Sequence, residues 1–197
     1  MPGGRGAVHV TLPTFEDVLS FWFAASEVQR PEWFRKDAAF DGQIRARFGE
    51  LHAHAAAGGL TEWEREPRPA LALLVVLDQF SRNLYRNDPR AFAQDARALA
   101  VAESMLARGW DRELWPLARQ FVYLPLEHAE DLARQDRAVG LFEVLQTEPG
   151  LEGLAKWAEK HREVIRRFGR FPHRNAALGR ASTPEEADFL LTPGSGF

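Results

Sequence analysis

Three arginines and a histidine fall within the twelve residues from Gly169 to Arg180, in the run Gly169-Arg170-Phe171-Pro172-His173-Arg174-Asn175 and its continuation Gly179-Arg180. A second cationic stretch, Asp78-Gln79-Phe80-Ser81-Arg82-Asn83-Leu84-Tyr85-Arg86, lies near the middle of the chain. Guanidinium groups are planar, permanently charged and carry five donors each, so a cluster of them must face carboxylates, an anionic ligand or water. Convergent arginines grip phosphate or carboxylate in forked, charge-assisted pairs. Asp78, Gln79, Arg82, Arg86, Arg170, Arg174, Asn175 and Arg180 are therefore the candidate set for binding a small anionic ligand. The structural alternative is equally physical: Asp78, Asp95, Glu127, Glu130 and Asp131 could pair with the same arginines and tie the end of the chain to its centre.

Acid–base chemistry has candidates as well. His128 stands in Glu127-His128-Ala129-Glu130-Asp131. On a continuous helix it would share a face with Asp131 at i,i+3, and a carboxylate beside an imidazole fixes its tautomer for general-base work. The same arrangement also satisfies a buried histidine that has no catalytic task. His128, Glu130 and His173 are the catalytic candidates, for hydrolase or transferase chemistry on a bound anion. No metal site is expected, because His52 and His54 are two apart and point to different sides of a helix, and arginines near Asp78 and Glu130 compete for those carboxylates. No glycine-rich phosphate loop, nucleophile elbow or dinucleotide fingerprint occurs, so no cofactor is expected.

The elements that must position these groups are helical. The 197 residues include 45% hydrophobic and 27% charged side chains, as in a globular protein that buries one core. A net charge of −3 gives no pull toward nucleic acid or an anionic membrane, and neither is expected as a partner. The absence of cysteine excludes disulfides, thiolate catalysis and sulfur-ligated metals. The longest apolar run, Ala70 to Leu77, is too short to span a bilayer, and the N-terminus lacks the apolar run of a signal peptide, so a cytoplasmic location is expected. All but Lys36, Lys156 and Lys160 of the 25 basic residues are arginine, so only their clustering is informative.

Thr14 caps a helix that carries Phe15, Val18, Leu19 and Trp22 on one face. Phe40, Ile44, Phe48 and Leu51 form an amphipathic stripe over 37–57, ended by Gly58-Gly59. The run 70–77 is apolar on every side and reads as a central buried helix that delivers Asp78 and Gln79 from the core. Further helices are expected over 91–108, around Trp115 to Leu124, from Leu126 to Leu145 with a break near Gly140, and over 151–168, where Trp157 shares a stripe with Leu154 and His161. Thr183-Pro184-Glu185-Glu186 opens the last one with cap, proline and N3 glutamate together. The six tryptophans show no regular spacing of a stacking platform and read mainly as core or junction anchors. The organisation predicted is all-α: a flexible segment 1–13, one helical domain over 14–191 and a loose tail over 192–197.

Several motifs also occur in a recognisable order. Phe21-Trp22-Phe23, the stretch from Leu77 to Arg86, Phe92 with Asp95, Leu124-Pro125-Leu126-Glu127-His128-Ala129-Glu130, and Phe168 to Asn175 with Gly179-Arg180 and Thr183 to Glu186 together resemble the bacterial family catalogued as domain of unknown function 924. The resemblance spans roughly 15 to 191 and implies an all-helical, tetratricopeptide-like array, without implying an activity. Ser81 stands where the family pattern leads one to expect proline, and Ala129 where serine is expected, so no mechanism for this chain can use a hydroxyl at 129. Two functional readings stay open: an anion-binding pocket, with or without catalysis, and a tetratricopeptide-like module that recognises an acidic peptide, with the arginine motifs as internal ion-pair staples.

Overall fold

Every regular element among the described residues of the computed structural model, 11–24 and 28–196, is helical. Residues 1–10 of the N-terminal segment and Phe197 of the tail lie outside the described residues. Helix α1 (Phe15–Phe23) begins with a capping box in which Thr14 and Asp17 bond each other's backbone N–H. Helix α2 (Ala38–Ala56) is capped by Asp37, whose carboxylate accepts from the N–H groups of Ala39 and Phe40.

The centre of the molecule is one long helical segment in three parts. Helix α3 (Pro67–Leu74) runs into a π-helical turn, Val75–Phe80, and on into the short α4 (Ser81–Leu84). All six residues of the wide turn are buried, so the apolar run is central, as its all-round hydrophobicity requires. Helices α1, α5 and α6 pack on α3, and α2 and α5 on the π turn. Trp22, Phe48, Phe80 and Phe121 fill the space between them, with Trp22 5.7 Å from Phe80 and 5.6 Å from Phe121 in edge-on contacts.

Three sequence expectations need correcting. Helix α5 (Asp95–Ala107) starts later than 91, because Asp88 caps a tight turn at Pro89–Ala91 instead. That delay makes Asp95 the first residue of α5. Helix α6 (Pro116–Glu127) ends at Glu127, and α7 (Leu132–Leu145) restarts after Asp131, which accepts from the N–H of Arg134. The break thus falls at 128–131, where Asp131 takes an extended backbone to cap α7, while α6 continues past Pro125 and Gly140 sits uninterrupted inside α7. Trp157 of α8 (Leu154–Phe168) is 54% exposed, since Leu154, Ala155, Ala158 and His161 take the buried face and Lys160 covers the indole at 4.3 Å.

Short connections lay α7 on α6 and α8 on α7. Helix α8 ends at Gly169, whose φ of +69° suits a residue without a side chain. The chain then turns back through Pro172–Arg174 and closes with α9 (Pro184–Leu190), whose start is the predicted Thr183–Glu186 capping box. Val164, Ile165 and Phe171 form a small second core there, against Phe168 and Phe189. This lid of chain carries the cationic turn back onto the central segment.

Candidate functional site

The wide turn at Val75–Phe80 places Asp78 and Gln79 side by side in the core, and Gln79 Nε2 donates to Asp78 Oδ2 at 2.6 Å. Asp78 is 1% exposed and ionised: burial opposes its charge, but Arg82, then His128, outweigh that and hold its carboxyl below the usual range. Arg82 Nη1 lies 3.0 Å from Asp78 Oδ1 and donates to the Asp78 carbonyl at 2.8 Å. Burial likewise works against the Arg82 charge, and the two aspartates, Asp78 first, raise its pKa overall.

His128 Nδ1 sits 2.8 Å from Asp78 Oδ1. A carboxylate can only accept, so Nδ1 carries the proton and Nε2 presents its lone pair. Burial and then Arg82 lower the His128 pKa, although Asp78 pulls the other way, so the ring is neutral near pH 7. The expected pairing with Asp131 does not form. His128 is the residue that ends α6, so the i,i+3 geometry stops there, and Asp131 caps α7.

Arg174 reaches the same neighbourhood from the C-terminal turn. Its guanidinium lies between two rings, 4.7 Å from Phe92 and 4.5 Å from Phe171, and is 6% exposed. Its Nη1 donates to Asp95 Oδ2 at 3.2 Å, and Arg82 Nη2 donates to that same oxygen, also at 3.2 Å. Among the described residues Arg174 Nε is buried without a hydrogen-bond partner. Burial, then the neighbouring Arg82, push the Arg174 pKa down to about 10. His173 beside it is pushed down to about 3, by burial first and then by Arg174.

The remaining candidates are bound into the architecture. Arg86 forks onto Asp41 of α2 at 2.5 and 2.8 Å, and Asn83 joins the same carboxylate. Arg170 forks onto Glu186 at 2.6 and 2.7 Å, tying the end of α8 to α9, and Asn175 adds a bond to Glu186. Arg180 forks onto Glu130 at 2.7 and 2.9 Å and also donates to Asn175 and the Phe171 carbonyl. Glu130 accepts in addition from the Phe171 N–H. Those carboxylates are therefore occupied by the fold itself.

Of the sequence candidates the fold thus gathers Asp78, Gln79, Arg82, His128, His173 and Arg174; Phe92 was a motif residue without a site role, and Asp95 was one of the carboxylates expected to pair with the arginines, as it does. Glu127, expected as a partner for arginine, instead lies 2.9 Å from His161, which helical periodicity placed on the stripe of α8; both are buried, a second acid–imidazole pair. Its ring stands 6.3 Å from that of His128. Among the described residues no three histidine, aspartate or glutamate side chains are placed to hold a metal ion, and no helix is long and apolar enough to cross a membrane.

The ordered motifs that build this site agree with a family model, described as bacterial protein of unknown function (DUF924), that matches residues 18–194. The chain belongs to the DUF924 family. It is also similar to a solved structure, that of a protein of unknown function, ATU0120, from Agrobacterium tumefaciens. The two are 41% identical with a TM-score of 0.81, over 90% of this chain and 96% of the other. No curated protein matches significantly. The structural similarity supports the all-helical fold of this DUF924 chain.

Proposed function

We propose that this DUF924 chain binds a small anionic ligand, phosphate or carboxylate, against Arg82 and Arg174, with His128 as the adjacent base for hydrolase or transferase chemistry. The observation that carries the reading is a contrast among its own ion pairs. Three arginines make short, forked, one-to-one pairs with carboxylates, at 2.5–2.9 Å. Arg82 and Arg174 instead share Asp95 at 3.1–3.2 Å, and a nitrogen of Arg174 stays unpaired. Charge-assisted pairs ordinarily close to about 2.7–2.9 Å, so this pairing is the loosest among the candidate arginines and the one with a donor to spare. His128, oriented by Asp78 with the proton on Nδ1 and the ring's lone pair on Nε2, supplies the proton acceptor such chemistry needs.

The second reading, a tetratricopeptide-like module recognising an acidic peptide, draws support from the staples. Arg86, Arg170 and Arg180 are matched by carboxylates of the chain, as that reading requires of structural ion pairs. The same matching leaves those three cations committed, which weakens them as contacts for a peptide.

Thermal unfolding against a panel of phosphorylated and carboxylated metabolites separates the two. A ligand at 100 times its Kd stabilises by about 2.7 kcal/mol, a Tm rise of about 5–10 °C for a domain of this size. A rise in the wild type that Arg174→Ala abolishes supports the anion site. No rise with any compound, together with a collapsed Tm for Arg174→Ala, sinks it and makes Arg174 architecture.

A further inference from the structure

Resting on the anion-site reading, we propose that Asp95 is an internal occupant of that site, a carboxylate of the chain held where the ligand's anionic group binds, and that a ligand is admitted by displacing it. Asp95 is the first residue of α5, projecting toward the C-terminal turn rather than sitting within a regular helical face. Its Oδ2 takes one nitrogen from each arginine and its Oδ1 a second nitrogen from Arg82. A bound carboxylate or phosphate bridging two guanidiniums would occupy the same geometry.

The surroundings favour exchange over permanence. The Asp95 side chain is 21% exposed, whereas Asp78, which also pairs with Arg82, is 2% exposed. Asp95 can therefore swing into water while Asp78 stays to hold Arg82 in place. With Asp95 in position the two arginines are balanced by two aspartates. With Asp95 displaced, one positive charge is uncompensated, which suits a singly charged anionic group. Phe92 lies under both guanidiniums, at 5.8 Å from Arg82 and 4.7 Å from Arg174, and keeps the cationic pair assembled when the carboxylate leaves.

The test is calorimetric titration of inorganic phosphate, and separately of acetate, into the full chain as wild type, Asp95→Asn and Asp41→Asn. Asp41 matches Arg86 in a tight staple, so its variant orphans an arginine elsewhere. The expected result is that Asp95→Asn binds one of the two anions about tenfold or more tightly than wild type, while Asp41→Asn binds as wild type does. Equal affinity in wild type and Asp95→Asn overturns the displacement and leaves the anion site standing. An equal gain in Asp41→Asn overturns it too, because any orphaned arginine would then serve. Absence of binding in all three removes the anion site and the displacement together. Should Asp95→Asn fail to fold, Asp95→Ser, which keeps a short polar residue at the helix start, is titrated in its place.

Discussion

Arg82 and Arg174, separated by most of the C-terminal half of the chain, meet on one oxygen of Asp95, each through a nitrogen 3.2 Å away. Two like charges approach this closely only because a carboxylate lies between them, and because Asp78 anchors Arg82 from behind. The long-range fold and the local charge balance are therefore one feature: the turn after α8 is placed by the interaction that would also receive a ligand.

Asp78 is the residue on which that arrangement depends most. It is buried, accepts from Gln79 and stands between Arg82 and His128. Asp78→Ala should cost about 3–5 kcal/mol, because a largely buried guanidinium loses its nearest counter-ion. Urea unfolding measures this, and a loss below about 1 kcal/mol would show that Asp95 alone sustains Arg82.

Arg180 should behave differently. It joins Glu130 of the 128–131 break to the Phe171 carbonyl and Asn175, at a partly exposed place. Arg180→Ala should lower stability by about 1–3 kcal/mol and leave anion affinity unchanged. Loss of affinity with intact stability would place Arg180 in the binding site instead.

Ser81 accounts for a smaller share. Its hydroxyl donates to the Leu77 carbonyl at 2.6 Å, so the His52 Nε2 that lies 2.8 Å from it must be the donor. Both side chains are buried, and burial lowers the His52 pKa. Ser81→Ala strands that ring N–H at a cost of about 1–3 kcal/mol, readable by the same unfolding experiment. A neutral outcome would mean that the ring turns to another partner.

The helices were legible because their signals are local. Capping at Thr14 and Thr183, the stripe from Phe40 to Leu51 and the all-round apolar run at 70–77 each specify structure within a turn or two. What was not legible depends on distant residues. The i,i+3 rule joined His128 to Asp131, but α6 ends at Glu127 and the extended Asp131 caps a new helix, and the partner is Asp78, fifty residues earlier. Sequence clustering put Arg170, Arg174 and Arg180 in one class, whereas the fold sends two of them to tight staples and one to a shared carboxylate. Asp95 was legible only as one of five carboxylates able to pair with the arginines, and nothing local in the sequence marks it as the one that Arg82 and Arg174 share.

The histidines make stability depend on pH in a stated direction. His173, His128 and His52 all have pKa values below the ordinary 6.5, and His173 is pushed down to about 3 by burial and then by Arg174. Below about pH 6.5 the unfolded chain therefore binds more protons at these sites than the folded chain does. Stability falls as pH drops below about 6.5; for His173 the loss continues toward pH 3, at up to about 1.4 kcal/mol per pH unit, and His128 and His52 add to it in the same direction. Asp78, whose carboxyl is held below its usual range, adds a further loss below about pH 4. His173→Asn should flatten the slope between pH 6 and 4 by up to about one proton's worth, measured as urea midpoints across that range. An unchanged slope would show that His173 takes up its proton in the folded chain, and that the Arg174 turn opens to water before the rest of the molecule unfolds.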